Sequence, residues 1–194
     1  MAPRKGELTR NHILQTARGV LVTKGFHNTS INDILVATGV KKGNLYYYFS
    51  SKEELGLAVL EDAMEEFFTF LNNALHGDDP IAKILNSCDA ILQELKKRNF
   101  VGGCLFGNTA LEMSDSNENF SRVIRQVFSI WTDQLAGLLA EAREEGGLPS
   151  AIPDRLLAKT IVATIEGGIM MARVNKDEED LADCLRALRV MLGR

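Results

Sequence analysis

The chain is expected to be all-α. Apolar residues recur at 3- and 4-residue spacing along most of its length, capping residues open the segments that carry this spacing, and strand-like alternation is nearly absent. At 194 residues it is long enough for a substantial core, as one large domain or two small ones. A hydrophobic content of 45% and a charged content of 25% are ordinary for a soluble globular protein. No run of about 18 apolar residues is present. The N-terminus is basic but has no apolar stretch behind it, so it does not read as a secretory signal, and a cytoplasmic location is expected.

The first helix runs over 9–25, with Ile13, Leu14, Ala17, Val20 and Leu21 on one face and Gly25 as a left-handed terminator. After a short loop, Ser30 caps a second helix from Ile31 to Thr38, with Asp33 in its first turn where a carboxylate favours the helix dipole. Gly39 and Val40 break it, and a short third helix spans about 41–49. Ser51 to Glu54 reads as a capping box that opens a long fourth helix through Leu71. Gly77-Asp78-Asp79-Pro80 is the clearest break in the chain. Helices are then expected at about 80–97, 104–114, 117–146, 153–174 and 177–192, with Pro149 and Pro153 marking one gap.

Residues 30–49 make two short helices joined by a glycine-containing turn, the pattern of a helix-turn-helix. Leu45 and Phe49, one turn apart, place one stripe of the third helix inside. At 100° per residue, Gly43 and Tyr47 then lie opposite, flanked by Lys42 with Tyr46 and by Asn44 with Tyr48. All three tyrosines of the chain sit here, which core packing does not require. Gly43 lets the backbone approach a groove, and Lys42 and Asn44 can donate to base edges. Tyrosine rings can lie on sugars or thymine methyls while their hydroxyls reach phosphates. Thr29 and Ser30 begin the second helix and Lys52 begins the fourth, where helix N-termini attract phosphate.

Charge agrees with this placement. The net charge is −4, yet residues 1–52 hold eight basic residues against two acidic ones, net +6, and the remainder holds 14 against 24, net −10. A basic head on an acidic body fits a chain whose head alone meets a polyanion. A polar αα turn or a tyrosine-rich protein-binding patch are the competing accounts of the same face.

Residues 29–55 resemble the signature of the tetracycline-repressor (TetR) family of bacterial transcription regulators, in the core Gly39-Val40 … Gly43-Asn44-Leu45-Tyr46-Tyr47-Tyr48-Phe49-Ser50-Ser51-Lys52. The resemblance covers about residues 6–66. It implies a three-helix helix-turn-helix DNA-binding domain at 6–66 and a helical effector-binding and dimerisation domain at 75–194. By analogy Lys42, Gly43, Tyr46 and Tyr47 face bases, while Thr29, Tyr48 and Lys52 touch phosphates. Lys41 stands where the family usually has a small capping Ser or Thr, and Asn44 where Thr or Ser is common. Losing that cap costs about 1 kcal/mol, but Lys41 adds a phosphate-seeking charge.

The resemblance further implies a homodimeric repressor on double-stranded operator DNA, released by a small-molecule effector. Phe100 to Asp115 resembles a Gly-Cys…Asn-x-Ala-x-Glu segment of some of these regulators. Cys104, Phe106, Asn108 and Glu112, with Phe128, Trp131 and Met170 further along, are the candidates for lining an effector pocket. Gly167, Gly168 and Ala172 sit at close-packing spacing, and two adjacent glycines cost about 1 kcal/mol each in a helix. The family expectation is a dimeric four-helix bundle from the helices at 117–146 and 153–174.

No nucleophile elbow, P-loop or metal-ligand spacing is present, and His12, His27 and His76 are isolated, so neither an enzyme nor a cofactor or metal is expected. Cys88, Cys104 and Cys184 are too dispersed for zinc and read as small buried residues in a reducing compartment.

Overall fold

The structure is a computed structural model that describes residues 5–149 and 151–194; Arg4, counted in the basic head, lies outside them. Among the described residues there is no strand. The helices are α1 (Lys5–Lys24), α2 (Ile31–Thr38), α3 (Lys42–Tyr48), α4 (Lys52–Ala74), α5 (Pro80–Lys97), α6 (Leu105–Met113), α7 (Glu118–Glu144), α8 (Asp154–Asn175) and α9 (Glu179–Met191). The expected boundaries agree with these to within a few residues, the ordinary uncertainty of helix ends.

Two compact units divide the chain: residues 1–66 with 104–124, and residues 67–103 with 125–194. In the first, the expected face of α1 (Ile13, Leu14, Ala17, Leu21) is buried, as are Ile34 of α2, Leu45 and Phe49 at α3, and Leu55, Val59, Leu60 and Ala63 of α4. Removing each large side chain from water contributes about 1.5–3 kcal/mol. The same unit takes in α6 and the first turns of α7. Phe120 is fully buried there and meets Phe26 at 4.8 Å, ring centroid to centroid. Gly56 on α4 makes room for this pair, since a Cβ on it would stand 2.6 Å from Phe26 and 3.0 Å from Phe120.

In the second unit Asp79 caps α5 by accepting from the Ala82 amide at 2.9 Å, with Pro80 in the first turn. Trp131 on α7 is buried and stands edge-on to Phe67 at 5.3 Å. Helices α8 and α9 pack together closely. Cys88 is buried, which pushes its thiol up to about 12, so it stays protonated and behaves as a small apolar residue. Cys104 and Cys184 are half-buried rather than buried.

Candidate nucleic-acid interface

Helix α2 is fixed at both ends. Ser30 Oγ accepts from the Asp33 amide at 3.1 Å, and Asp33 Oδ2 accepts from the Ser30 amide at 2.8 Å, a closed capping box. Lys24 donates to Asp33 Oδ1 at 2.7 Å. The Lys24 bond first, then the Ser30 bonds, hold the Asp33 carboxyl well below the usual carboxylate range. A depressed native pKa means stabilisation that is present above the unfolded value and lost as pH falls toward the native one. Asp33→Asn should therefore lower the melting temperature at neutral pH, and thermal melts should show the gap to wild type narrowing below about pH 4. A gap that stays constant down to about pH 2.5 would count against this role.

At the other end Gly39 takes φ +67°, where glycine is favoured, and its N–H closes on the Leu35 carbonyl at 2.9 Å. The chain then turns into α3 at Lys41, whose side chain makes no cap bond. Leu45 and Phe49 are buried, and Lys41, Lys42, Gly43, Asn44, Tyr46 and Tyr47 are exposed. Tyr47 is 81% exposed, with its ring propped edge-on against the half-buried Tyr48 at 5.0 Å. Lys42 Nζ lies 5.9 Å over the Tyr46 ring. A Cβ on Gly43 would meet nothing within 4 Å, so the fold has no internal use for this glycine, which costs about 1 kcal/mol in a helix.

The cations of the head divide by role. Lys24 pairs with Asp33 and Arg18 with Glu66, whereas Lys41 and Lys42 are exposed and make no ion pair among the described residues. Lys52 differs from expectation. Its ammonium donates to the Phe26 and Thr29 carbonyls, both at 2.8 Å, and sits 4.4 Å over the Phe26 ring. Those contacts make it a strut under the α1–α2 loop. Thr29 differs likewise: it is 1% exposed, and its hydroxyl donates to the Gly25 carbonyl at 2.6 Å. The Ser51 hydroxyl does accept from the Glu54 amide at 3.0 Å, but the Glu54 carboxylate returns to the Ser50 amide at 2.8 Å, one residue before the cap.

The residues expected in an effector pocket fall in both units, Cys104, Phe106, Asn108 and Glu112 in the first and Phe128, Trp131 and Met170 in the second. Cys104 caps α6, its Sγ accepting from the Gly107 amide at 3.4 Å; Phe106 is buried and Asn108 half-buried. Glu112 is tied to the α1–α2 loop: Oε2 accepts from the His27 amide at 3.0 Å, and its carbonyl lies 3.1 Å from His27 Nε2. Phe128 is half-buried, and Met170 is 59% exposed. Of the three small residues expected between subunits, Gly167 faces open space. Gly168 instead admits α9, since a Cβ there would lie 2.7 Å from Leu181 and 3.2 Å from Cys184. Ala172, one turn on, is fully buried.

Three residues of α1 border the turn and α3. His12 Nε2 lies 2.9 Å from the Thr38 carbonyl, Arg10 stacks 5.5 Å over Phe49, and Thr9 joins His12 along a cleft. His12 lies off the apolar face of α1, whereas Arg10, three and four residues before Ile13 and Leu14, continues that face to Phe49. Among the described residues no three His, Cys, Asp or Glu side chains gather as a metal site, and no helix is long and apolar enough to cross a membrane.

A capped support helix, a tight turn and a short helix with a fully exposed polar and aromatic face define a helix-turn-helix regulator of the DNA-binding class. Residues 13–59 match the family described as bacterial regulatory proteins, tetR family, and residues 80–188 match the tetracyclin repressor-like C-terminal domain. The chain belongs to the tetracycline-repressor family, and it is a DNA-binding transcriptional regulator rather than an enzyme. It is 32% identical over 178 residues to an uncharacterised HTH-type transcriptional regulator of Lactococcus lactis, covering 87% of this chain and 85% of that one. It is 25% identical over 174 residues to the HTH-type transcriptional repressor DhaR of a Mycobacterium species, covering 89% and 86%. Among solved structures, a TetR transcriptional regulator from Chloroflexus aurantiacus superposes with a TM-score of 0.89 at 30% identity, covering 97% and 96%.

Proposed function

We propose that the chain is a homodimeric, cytoplasmic repressor whose paired α3 helices read a palindromic operator and which a small-molecule effector releases. The exposed face of α3 carries this reading: Lys42, Gly43, Asn44, Tyr46 and Tyr47 lie in solvent around a glycine the fold itself does not need. Lys42 and Asn44 donate to base edges, the tyrosines contact bases and sugars, and Lys41 and Tyr48 serve the backbone. Ser30, exposed at the start of α2, belongs with the backbone contacts. Residues 6–66 form the reading head and residues 75–194 the effector-binding and dimerising region, with α6 lending support to the head. Phe128 and Trp131 are the candidates for contacting the effector.

A second apolar seam supports the dimer. Leu156, Thr160, Ala163, Gly167, Met170 and Val174 follow one another along α8 at alternating spacings of four and three, opposite the face that is buried within the chain. Leu156, Met170 and Val174 are 56%, 59% and 75% exposed, and Val190 and Met191 of α9 add further exposed apolar surface. The outward positions of α7, such as Gln126, Ser129, Asp133 and Glu141, are polar. The bundle is therefore assigned to α8 and α9 rather than α7 and α8.

Footprinting on the DNA upstream of the chain's own gene should show two protected half-sites about 34–36 Å apart. Sedimentation should give twice the chain mass, and Val174→Glu should yield a folded monomer that loses the footprint. A wild-type monomer that still protects both half-sites would defeat the dimer, and no protection at low salt would defeat operator binding.

A further inference from the structure

Where the first turns of α1 meet the α2–α3 turn, a cleft of about 670 Å³ opens, lined by Leu8, Thr9, His12, Gly39, Val40, Lys41 and Asn44. Its polar groups are a hydroxyl, an imidazole, an ammonium and an amide, and none of the seven lining residues is acidic. Leu8 and Val40 supply apolar wall of the kind that suits a deoxyribose. Lys41 and Asn44 also belong to the edge of the reading face, so the cleft is continuous with it. That chemistry recognises a sugar–phosphate unit.

His12 is built into this wall. Its Nε2 lies 2.9 Å from the Thr38 carbonyl, which only accepts, so Nε2 carries the proton in the neutral ring. A second proton is then taken up at Nδ1. The anchor to Thr38 survives protonation, and the wall of the cleft gains a full positive charge. Lys41, from the turn, is the other charged group lining the cleft, while Lys42 lies over Tyr46 and Arg10 over Phe49.

We propose that this cleft seats a backbone phosphate of bound DNA, and that His12 is its proton-dependent contact. The inference rests on the DNA-binding reading above. A seated phosphate favours the second proton. DNA binding then tightens as His12 gains its second proton. Because a phosphate contact carries no sequence information, the effect extends to DNA of any sequence.

The test measures anisotropy of a labelled duplex of about 30 bp and mixed sequence at low salt, at about pH 6 and about pH 8. Wild type should bind roughly three- to tenfold more tightly per head at the lower pH, with a steeper salt dependence there by about one phosphate. His12→Gln keeps an amide donor for Thr38 but cannot charge. It should bind at both pH values as wild type does at the higher one. His12→Lys should bind tightly at both. A His12→Gln protein that keeps the wild-type pH dependence overturns the role of His12 while leaving DNA binding intact. Wild type that binds no DNA at either pH overturns the DNA-binding reading itself.

Discussion

Gly25→Ala is expected to destabilise the DNA-binding unit by about 2–4 kcal/mol, from two separable sources. Gly25 ends α1 at φ +82°, where a side chain adds about 1–2 kcal/mol of strain. Its Cβ would also stand 2.3 Å from Glu112 Oε1 and 2.9 Å from the carboxyl carbon. The carboxylate is the end of a flexible side chain and can move, but moving it breaks the bond from the His27 amide, a hydrogen bond to a charged acceptor. That bond is exposed, so its loss stays near the lower end of the 1.5–3 kcal/mol range. For a chain of this length the melting temperature should fall by roughly 4–16 °C. The two sources part in a double-mutant cycle. Glu112→Ala should cost clearly less in the Gly25→Ala background than in wild type, because the bond it removes is already lost. Fully additive losses would show that the close approach of Glu112 to Gly25 carries no energy.

Tyr47→Ala should weaken operator binding far more than binding to unrelated DNA. Tyr47 stands at the crest of α3, opposite the buried Leu45–Phe49 stripe, with most of its ring in solvent. One lost base contact costs about 1–2 kcal/mol, and the proposed dimer carries the loss twice, so about 2–4 kcal/mol or roughly thirty- to thousandfold in operator affinity. Tyr48→Phe offers the contrast. Its ring is half-buried behind Tyr47, and only the hydroxyl changes, so operator and unrelated DNA should lose affinity by the same few-fold factor. Competition binding against both DNAs reads the two ratios. If Tyr47→Ala leaves the ratio unchanged, the whole tyrosine triplet serves as an anchor and sequence is read elsewhere.

What could be foreseen from sequence was what short-range rules govern. The all-α class follows from periodicity, the Ser30 cap from its place before the apolar run of α2, and the terminators Gly25 and Gly39 from their place at the ends of helices. The outward face of α3 follows from helical phase once Leu45 and Phe49 are set inside. Long-range commitments carry no such signal. Lys52 sits 26 residues from the Phe26 carbonyl it holds, and Glu112 sits 85 residues from the His27 amide. A lysine promised to two carbonyls and a ring looks, in sequence, like any lysine at a helix start. Nothing in the sequence separates Thr29 from the exposed Ser30 beside it; its burial depends on what Lys52 and Gly25 do around it. Gly168 announced close packing correctly, but a glycine cannot say whether the approaching helix belongs to its own chain, and here it is α9.

The first unit is not one stretch of chain, because α6 and the start of α7 return to it after a detour of 37 residues through the second. Recombination that exchanges sensing bodies between regulators therefore meets a seam that no single cut at residue 66 respects. A graft of residues 1–66 alone would present Phe26 without Phe120 and His27 without Glu112. Transplanting this head requires carrying 104–124 with it, so its DNA specificity and its α6 support are inherited together.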